Sequence, residues 1–203
     1  MPNVTILGHL GLFVRPGFLN PASCRLICAE MGSVSATPAM IRPVGQAGGV
    51  IDQATRRTGI ANVSASTNSL IEDQLRATMP ALEGHFHVAL TGWQRPQFYI
   101  YDKGDFFVVH RDKDEDPDAP EWVRSRQVSV SIFLNDGKDR AEGETYRGGA
   151  LVFYGARRDR SGEGFKIPLE GEEGMFVGFR SDWFHEVRPV TSGRRYSIVT
   201  WFY

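Results

Sequence analysis

Apolar positions along this chain change their spacing near its midpoint. Asn20 followed by Pro21 marks a helix start, because the amide side chain can cap free backbone N–H groups and proline lacks only a donor that the first turn leaves unused. That helix is predicted to run to about Met31. Ser69 with Glu72 three residues on resembles a capping box, and Leu70, Ile71, Leu75, Met79 and Leu82 keep helical spacing after it, which predicts a second helix over 68–82. Between them, residues 33–67 are rich in Gly, Ala, Ser and Thr without sustained periodicity and read as short strands and loops.

From Pro96 onward the pattern becomes that of β-strands. The runs Phe98 to Tyr101, Phe106 to His110, Val128 to Leu134, Gly149 to Tyr154, Phe165 to Leu169, Met175 to Phe179 and Tyr196 to Tyr203 are short and rich in Val, Ile, Phe and Tyr. Gly, Asp, Asn and Pro clusters separate them, as in a sandwich or barrel. No boundary or internal repeat divides the chain. The expected organisation is one domain over 1–203, in which 1–95 form a helical and irregular support and 96–203 a mainly β core.

Composition narrows the function classes. In 203 residues, 23 Lys and Arg stand against 24 Asp and Glu for a net charge of −1, and 13 Phe, 4 Trp and 6 Tyr argue against disorder. A dedicated nucleic-acid partner is not expected, because displacing counterions from phosphates takes an excess of basic residues. The apolar opening from Val4 to Val14 is broken by Gly8, His9 and Gly11 and has no basic segment ahead of it, so it reads poorly as a secretory signal. No run approaches the ~20 apolar residues of a membrane-spanning helix. Cys24 and Cys28 lie four apart on the first helix and read as small core residues, consistent with a reducing cytoplasm.

The chemistry concentrates in the β half. His110-Arg111-Asp112 follows directly on an apolar strand, and residues two apart in extended chain point the same way, so the imidazole and the carboxylate can converge. Two imidazoles and one carboxylate on one face of an octahedron leave three positions open, which suits non-haem iron(II) that must also hold a co-substrate and oxygen. His185, at the head of another short strand, is the candidate second imidazole. Ten residues later, a turn around Ser192-Gly193 would return the chain and bring Arg195 near the metal; a buried guanidinium needs a carboxylate, which a dicarboxylic acid would supply.

These residues resemble the 2-oxoglutarate- and iron(II)-dependent oxygenases of the prolyl 4-hydroxylase type. The resemblance rests on Tyr101-Asp102-Lys103-Gly104-Asp105-Phe106-Phe107 leading into His110-Arg111-Asp112, on Gly148-Gly149-Ala150-Leu151, on Phe179-Arg180-Ser181-Asp182 leading into His185, and on Arg195 to Trp201. It implies a double-stranded β-helix, or jelly roll, with N-terminal helices packed on it. It further implies that His110, Asp112 and His185 ligate Fe(II), and that Arg195 binds the distal carboxylate of 2-oxoglutarate while Arg194 faces the other way. Tyr101 and Leu151 then belong to the co-substrate pocket.

The expected activity is hydroxylation of an aliphatic C–H bond with O2, releasing succinate and CO2, with ascorbate as an accessory reductant that the resemblance allows. The resemblance favours a prolyl residue of a protein or peptide as substrate; a free amino acid or natural-product intermediate is the alternative, and a non-catalytic jelly-roll binding module is the rival from another class. The chain departs from the family of oxygen-sensing prolyl hydroxylases at Phe133, where a tyrosine hydroxyl would help the arginine grip the co-substrate. Ser129 and Ser131 share the strand face of Phe133 and are the replacement donors considered, with Ser131 preferred.

Other clusters read more simply. Asp112, Asp114 and Asp116 alternate as in a calcium loop, but Pro117 and Val123 stand where Gly and Glu are required, so the run is a solvated loop. His85 and His87 could share a strand face but have no acidic partner close by. Arg157, Arg158 and Arg160 fall in a loop between two predicted strands. The segments 32–66 and 113–126 are where a cover over the site is expected.

Overall fold

A computed structural model of the chain describes residues 4–42, 48–137, 145–155 and 166–203. Helix α1 (Val4–His9) and strand β1 (Phe13–Arg15) precede α2 (Pro21–Ser33). Three short strands, β2 (Thr37–Pro38), β3 (Arg56–Arg57) and β4 (Gly59–Ala61), lead to α3 (Ala65–Phe86). Then follow β5 (Gln97–Tyr101), β6 (Phe106–His110), the single turn α4 (Glu121–Arg124), β7 (Val128–Phe133), β8 (Arg147–Gly148) and β9 (Leu151–Tyr154). Strands β10 (Lys166–Leu169), β11 (Phe176–Arg180), β12 (His185–Val187), β13 (Val190–Ser192) and β14 (Arg195–Phe202) complete the chain.

The strands form a seven-stranded sheet in the order β1-β11-β7-β14-β5-β4-β2, a five-stranded sheet β10-β9-β12-β6-β3, and the small pair β13-β8. All pairings are antiparallel, and the two larger sheets make the jelly roll that the motifs imply.

The alternation of side chains along the central strands divides the interior in two. Phe98 and Ile100 of β5, Val130 and Ile132 of β7 and Ile198 and Phe202 of β14 face Cys24, Ile27 and Met31 of α2 and Ile71, Leu75 and Leu82 of α3. Residues one step along the same strands, Tyr99, Tyr101 and Phe133, face the other sheet and pack with Leu151, Phe153, Phe179 and Val187. Each fully buried aliphatic or aromatic side chain contributes roughly 1.5–3 kcal/mol, so the helices stabilise the floor of the large sheet while its other face is left for a cavity.

Helix α2 begins as expected, with Asn20 Oδ1 accepting from Ser23 N at 2.9 Å. Helix α3 begins four residues before Ser69 and ends four beyond Leu82, and the cap is Ser64, whose hydroxyl accepts from Thr67 N at 3.3 Å. A tertiary contact selects this start over the Ser69 box: Glu30 of α2 accepts from both Ser64 N and Thr67 Oγ1 at 2.5 Å. The extra turns place His85 in the helix and His87 at its left-handed C-cap (φ 55°), so these histidines share no strand. Arg157, Arg158, Arg160 and Phe165 lie outside the described residues. Among the described residues no helix is long and apolar enough to cross a membrane.

Candidate active site

His110 ends β6 and His185 opens β12, and the antiparallel register sets them directly opposite each other. Asp112 leaves β6 two residues on, its backbone held where Asp112 N and Lys113 N both donate to Ser181 O, at 3.1 and 2.9 Å. One ligand atom from each of the three residues falls within 4.8 Å of the others. The Asp112 carboxylate lies 3.6 Å from His110 Nε2 through one oxygen and 3.5 Å from His185 Nε2 through the other.

Both imidazoles are oriented for ligation. His110 Nδ1 lies 2.8 Å from Val108 O and His185 Nδ1 3.0 Å from Trp183 O, so each Nδ1 carries the proton and each Nε2 lone pair faces the cluster. Phe107 stacks flat on His110 with ring centroids 3.5 Å apart, and Phe179 meets His185 edge-on at 4.7 Å, which locks the ring planes. Burial and the neighbouring His110 hold His185 down at about 4, against the pull of Asp112, so the imidazole is neutral at neutral pH. Burial alone would raise the Asp112 carboxyl, but His185, His110 and Arg126 more than offset it and keep it ionised, well below the usual carboxylate range. Two imidazoles with Nε2 turned inward and an ionised carboxylate are a donor set that fits a divalent metal with open positions.

Arg195 opens β14 opposite Tyr101 and is 1% exposed. Its guanidinium lies 4.9 Å from the Tyr101 ring centroid and 5.0 Å from that of Phe133, and Nη1 donates to Ser197 Oγ at 2.8 Å. Among the described residues no carboxylate pairs with it, and its Nε is buried without a partner. A buried guanidinium left this way is costly, and an anionic ligand that supplies the missing carboxylate relieves the cost. Arg194 points to the opposite strand face, as expected, and donates from Nε to Asp102 Oδ1 at 2.6 Å.

A cavity of about 590 Å³ joins these groups, in the range usual for small-molecule sites. His110, Asp112, His185, Arg195, Tyr101, Leu151 and Ser131 all line it. Ser129 is on the same strand face, but its hydroxyl donates to Ser181 Oγ at 2.9 Å, which leaves Ser131 as the serine that lines the cavity. Met40, Ile41 and Thr55 from the N-terminal half and Trp122 and Val123 from α4 frame the remaining walls, drawn from the two segments expected to cover the site.

Three functional side chains escaped the sequence reading. Tyr146 is buried beside Arg195, with its hydroxyl in hydrogen-bonding reach of that guanidinium and, among the described residues, of no other side chain, while Arg195 Nε has no partner. Burial raises the Tyr146 phenol, and the nearby Arg195 opposes that rise. Phe133 and Tyr146 both crowd Gly171, where a Cβ would collide with each, so a phenol stands beside the ring at position 133. Arg126, 8% exposed, donates from Nη1 to Asp112 O at 3.0 Å. Arg56 reaches the cavity from β3. None of the three stands in a spacing motif, so only the tertiary structure brings them in.

Comparison with known proteins gives consistent results. Residues 96–203 match the family model described as the 2OG-Fe(II) oxygenase superfamily. The chain is similar in structure to a Pseudomonas putida prolyl-4-hydroxylase, with a TM-score of 0.71 and 22% identity over 98% of this chain and 95% of that one. It is also similar to a Trichoplax adhaerens prolyl hydroxylase solved with a hypoxia inducible factor peptide fragment (TM-score 0.70, 19% identity, 98% and 86% covered). The third is AviO1 from Streptomyces viridochromogenes Tue57 (TM-score 0.61, 14% identity, 100% and 95% covered). No curated protein matches by sequence.

Proposed function

Because the chain belongs to the 2OG-Fe(II) oxygenase superfamily, we propose that this 2-oxoglutarate-dependent dioxygenase hydroxylates a saturated carbon, in the first instance a prolyl ring carbon of a polypeptide. The observation that carries the site assignment is the convergence of His110, Asp112 and His185 on one point of a cavity that also contains the unpaired Arg195. Likeness to two prolyl hydroxylases supports the prolyl substrate.

His110 Nε2, Asp112 and His185 Nε2 would hold the iron, and iron(II) bound there would couple oxidation of 2-oxoglutarate by O2, yielding succinate and CO2, to hydroxylation of a C–H bond of the substrate. The protein contributes position and environment. Arg195 and Tyr146 together hold the distal carboxylate of 2-oxoglutarate, one by charge and the other by a neutral hydrogen bond, and Ser197 fixes the guanidinium against rotation. Tyr101, Leu151, Phe179 and Val187 surround the co-substrate with apolar surface that excludes water. The carbonyls of Val108 and Trp183 accept from the two Nδ1 groups and so aim each Nε2 at the metal position.

An anaerobic optical titration with iron(II) and 2-oxoglutarate tests the reading without any substrate. A visible charge-transfer band in the wild type that vanishes in His185→Ala is the expected result. Iron bound to the protein without a band on adding 2-oxoglutarate would remove the co-substrate assignment and leave the jelly-roll binding module in its place.

A further inference from the structure

Around the cavity the basic side chains divide by what they already hold. Arg42 pairs with Asp114. Arg126 is committed to Asp112 O and to Gln94 Oε1. Arg195 belongs to the co-substrate, and Arg111 lies over the Phe184 ring on the exposed rim. Arg56 remains. Its guanidinium hydrogen-bonds the Tyr99 and Tyr101 hydroxyls, but its Nε is buried with no partner, and among the described residues no carboxylate pairs with it.

The backbone holds Arg56 firmly. Asp52 closes a turn by accepting from Ala54 N at 2.9 Å and Thr55 Oγ1 at 2.6 Å, and Arg56 N donates back to Asp52 O at 2.9 Å. Val108 N donates to Thr55 O at 3.0 Å, and Arg56 stands opposite Phe107 in the register of β3 on β6. Alternation along β3 then separates two like residues: Arg57 is exposed on the outer face, whereas Arg56 enters the cavity. Its guanidinium lies 4.3 Å from the Tyr99 ring centroid and 4.5 Å from that of Phe107, the ring that stacks on His110. A positive, forked donor is therefore fixed one aromatic ring away from an iron-ligand imidazole.

We propose that Arg56 is the substrate anchor and that the substrate carries a carboxylate a few bonds from the carbon that is oxidised. Guanidinium and carboxylate match as two parallel hydrogen bonds, and pairing within a water-poor cavity relieves the unsatisfied Nε. The short path from Arg56 past Phe107 to His110 limits the separation between the carboxylate and the reacting carbon. The α-carboxylate of a free amino acid and an acidic side chain beside a prolyl residue both meet these requirements. The inference rests on the oxygenase reading for the position of the reacting carbon, but not for the anion preference.

The test is calorimetry under argon on protein loaded with manganese(II) and 2-oxoglutarate, which occupies Arg195. The probes are the common L-amino acids, their primary amides, and the pair acetyl-Ala-Pro-Glu-amide and acetyl-Ala-Pro-Gln-amide. At least one carboxylate probe should bind tenfold or more tightly than its amide, and Arg56→Gln should erase that ratio while leaving 2-oxoglutarate affinity unchanged. A response among free amino acids identifies a small acid; a response confined to the Glu peptide identifies an acidic polypeptide. Equal binding of carboxylate and amide throughout the panel, or a preference that survives Arg56→Gln, overturns the proposal. If Arg56→Gln does not fold, Arg56→Lys decides, since a point charge cannot replace the fork and the preference must fall at least threefold. Failure of the protein to take up manganese and 2-oxoglutarate counts against the oxygenase reading alone; the same comparison on metal-free protein then still decides Arg56.

Discussion

Arg126 donates from Nη1 to the main-chain carbonyl of Asp112, so a guanidinium on the chain leading into β7 fixes the backbone from which the carboxylate ligand projects. Its own position is set by two bonds to Gln94 Oε1, at 3.2 and 2.8 Å, and by the Trp201 ring 3.7 Å beneath it. Burial pushes its pKa down to about 10, partly offset by Asp112, and it remains a cation at neutral pH.

Replacing Arg126 with Met keeps the stem over Trp201 and removes the donors. Iron(II) affinity should fall by about 10–100-fold, the usual consequence of losing a group that orients a metal ligand. Affinity for 2-oxoglutarate, measured at saturating iron, should change little. Equal iron affinity in the two proteins would show that the Ser181 contacts alone suffice to place Asp112.

Tyr146→Phe separates two effects of one hydroxyl. In the ligand-free protein that hydroxyl is buried with only the Arg195 guanidinium beside it, so its removal should change the thermal midpoint little. In the presence of 2-oxoglutarate the variant should lose about 1 kcal/mol of binding, several-fold in Kd, because one neutral hydrogen bond disappears. Arg195→Met should weaken 2-oxoglutarate far more, while sparing iron. A Tyr146→Phe protein with wild-type affinity would leave the co-substrate to Arg195 and Ser131.

Gly149 sits at φ 62° with its missing Cβ position about 3 Å from Val190 and from the Arg195 and Tyr146 side chains. Gly149→Ala therefore combines backbone strain with pressure on both residues of the carboxylate pocket. Stability should drop by about 1–2 kcal/mol, and 2-oxoglutarate affinity should drop with it, read by calorimetry and by urea unfolding.

Cys24 is fully buried under the large sheet, and burial pushes its thiol up to about 12. In the unfolded chain the same thiol ionises near ~8.5, so between these values the native state keeps a proton that the unfolded state has lost. Its contribution is complete below ~8.5 and declines as pH rises beyond it, by at most about 1.4 kcal/mol per pH unit. Cys24→Ala should remove that part of the alkaline slope in denaturant midpoints. At pH 8 iodoacetamide should leave Cys24 unmodified unless the protein is unfolded.

What the sequence disclosed follows from how short-range its signals are. The pair His110 and Asp112, two apart in extended chain, announces a shared face, and the strand alternation of Arg195, Ser197 and Val199 does the same for the cavity side of β14. Arg56 gave no such sign, because a strand of two residues carries no period, and its place on the iron-ligand strand is decided by the turn at Asp52. Tyr146 stands in a segment next to residues 138–144 with only Gly148 and Gly149 to mark it, so strand alternation around Phe133 points to Ser131 and gives no sign of a phenol from another segment. Helix α3 starts three residues before the predicted position 68, because two serines offer equivalent caps and only the contact with Glu30 distinguishes them.

The side chain of Asn135 accepts from Tyr196 N at 3.0 Å and donates to Arg194 O at 2.7 Å, gripping the backbone on either side of Arg195. A β-strand has only two settings, odd or even, for which residues look inward. Sliding β14 by one position would bury Tyr196, Ile198 and Thr200 against the iron site and turn Arg195 towards the helices. That amide thus adds a parity check to the ladders with β5 and β7, which together decide whether this strand presents a binding surface for an anion or an apolar wall.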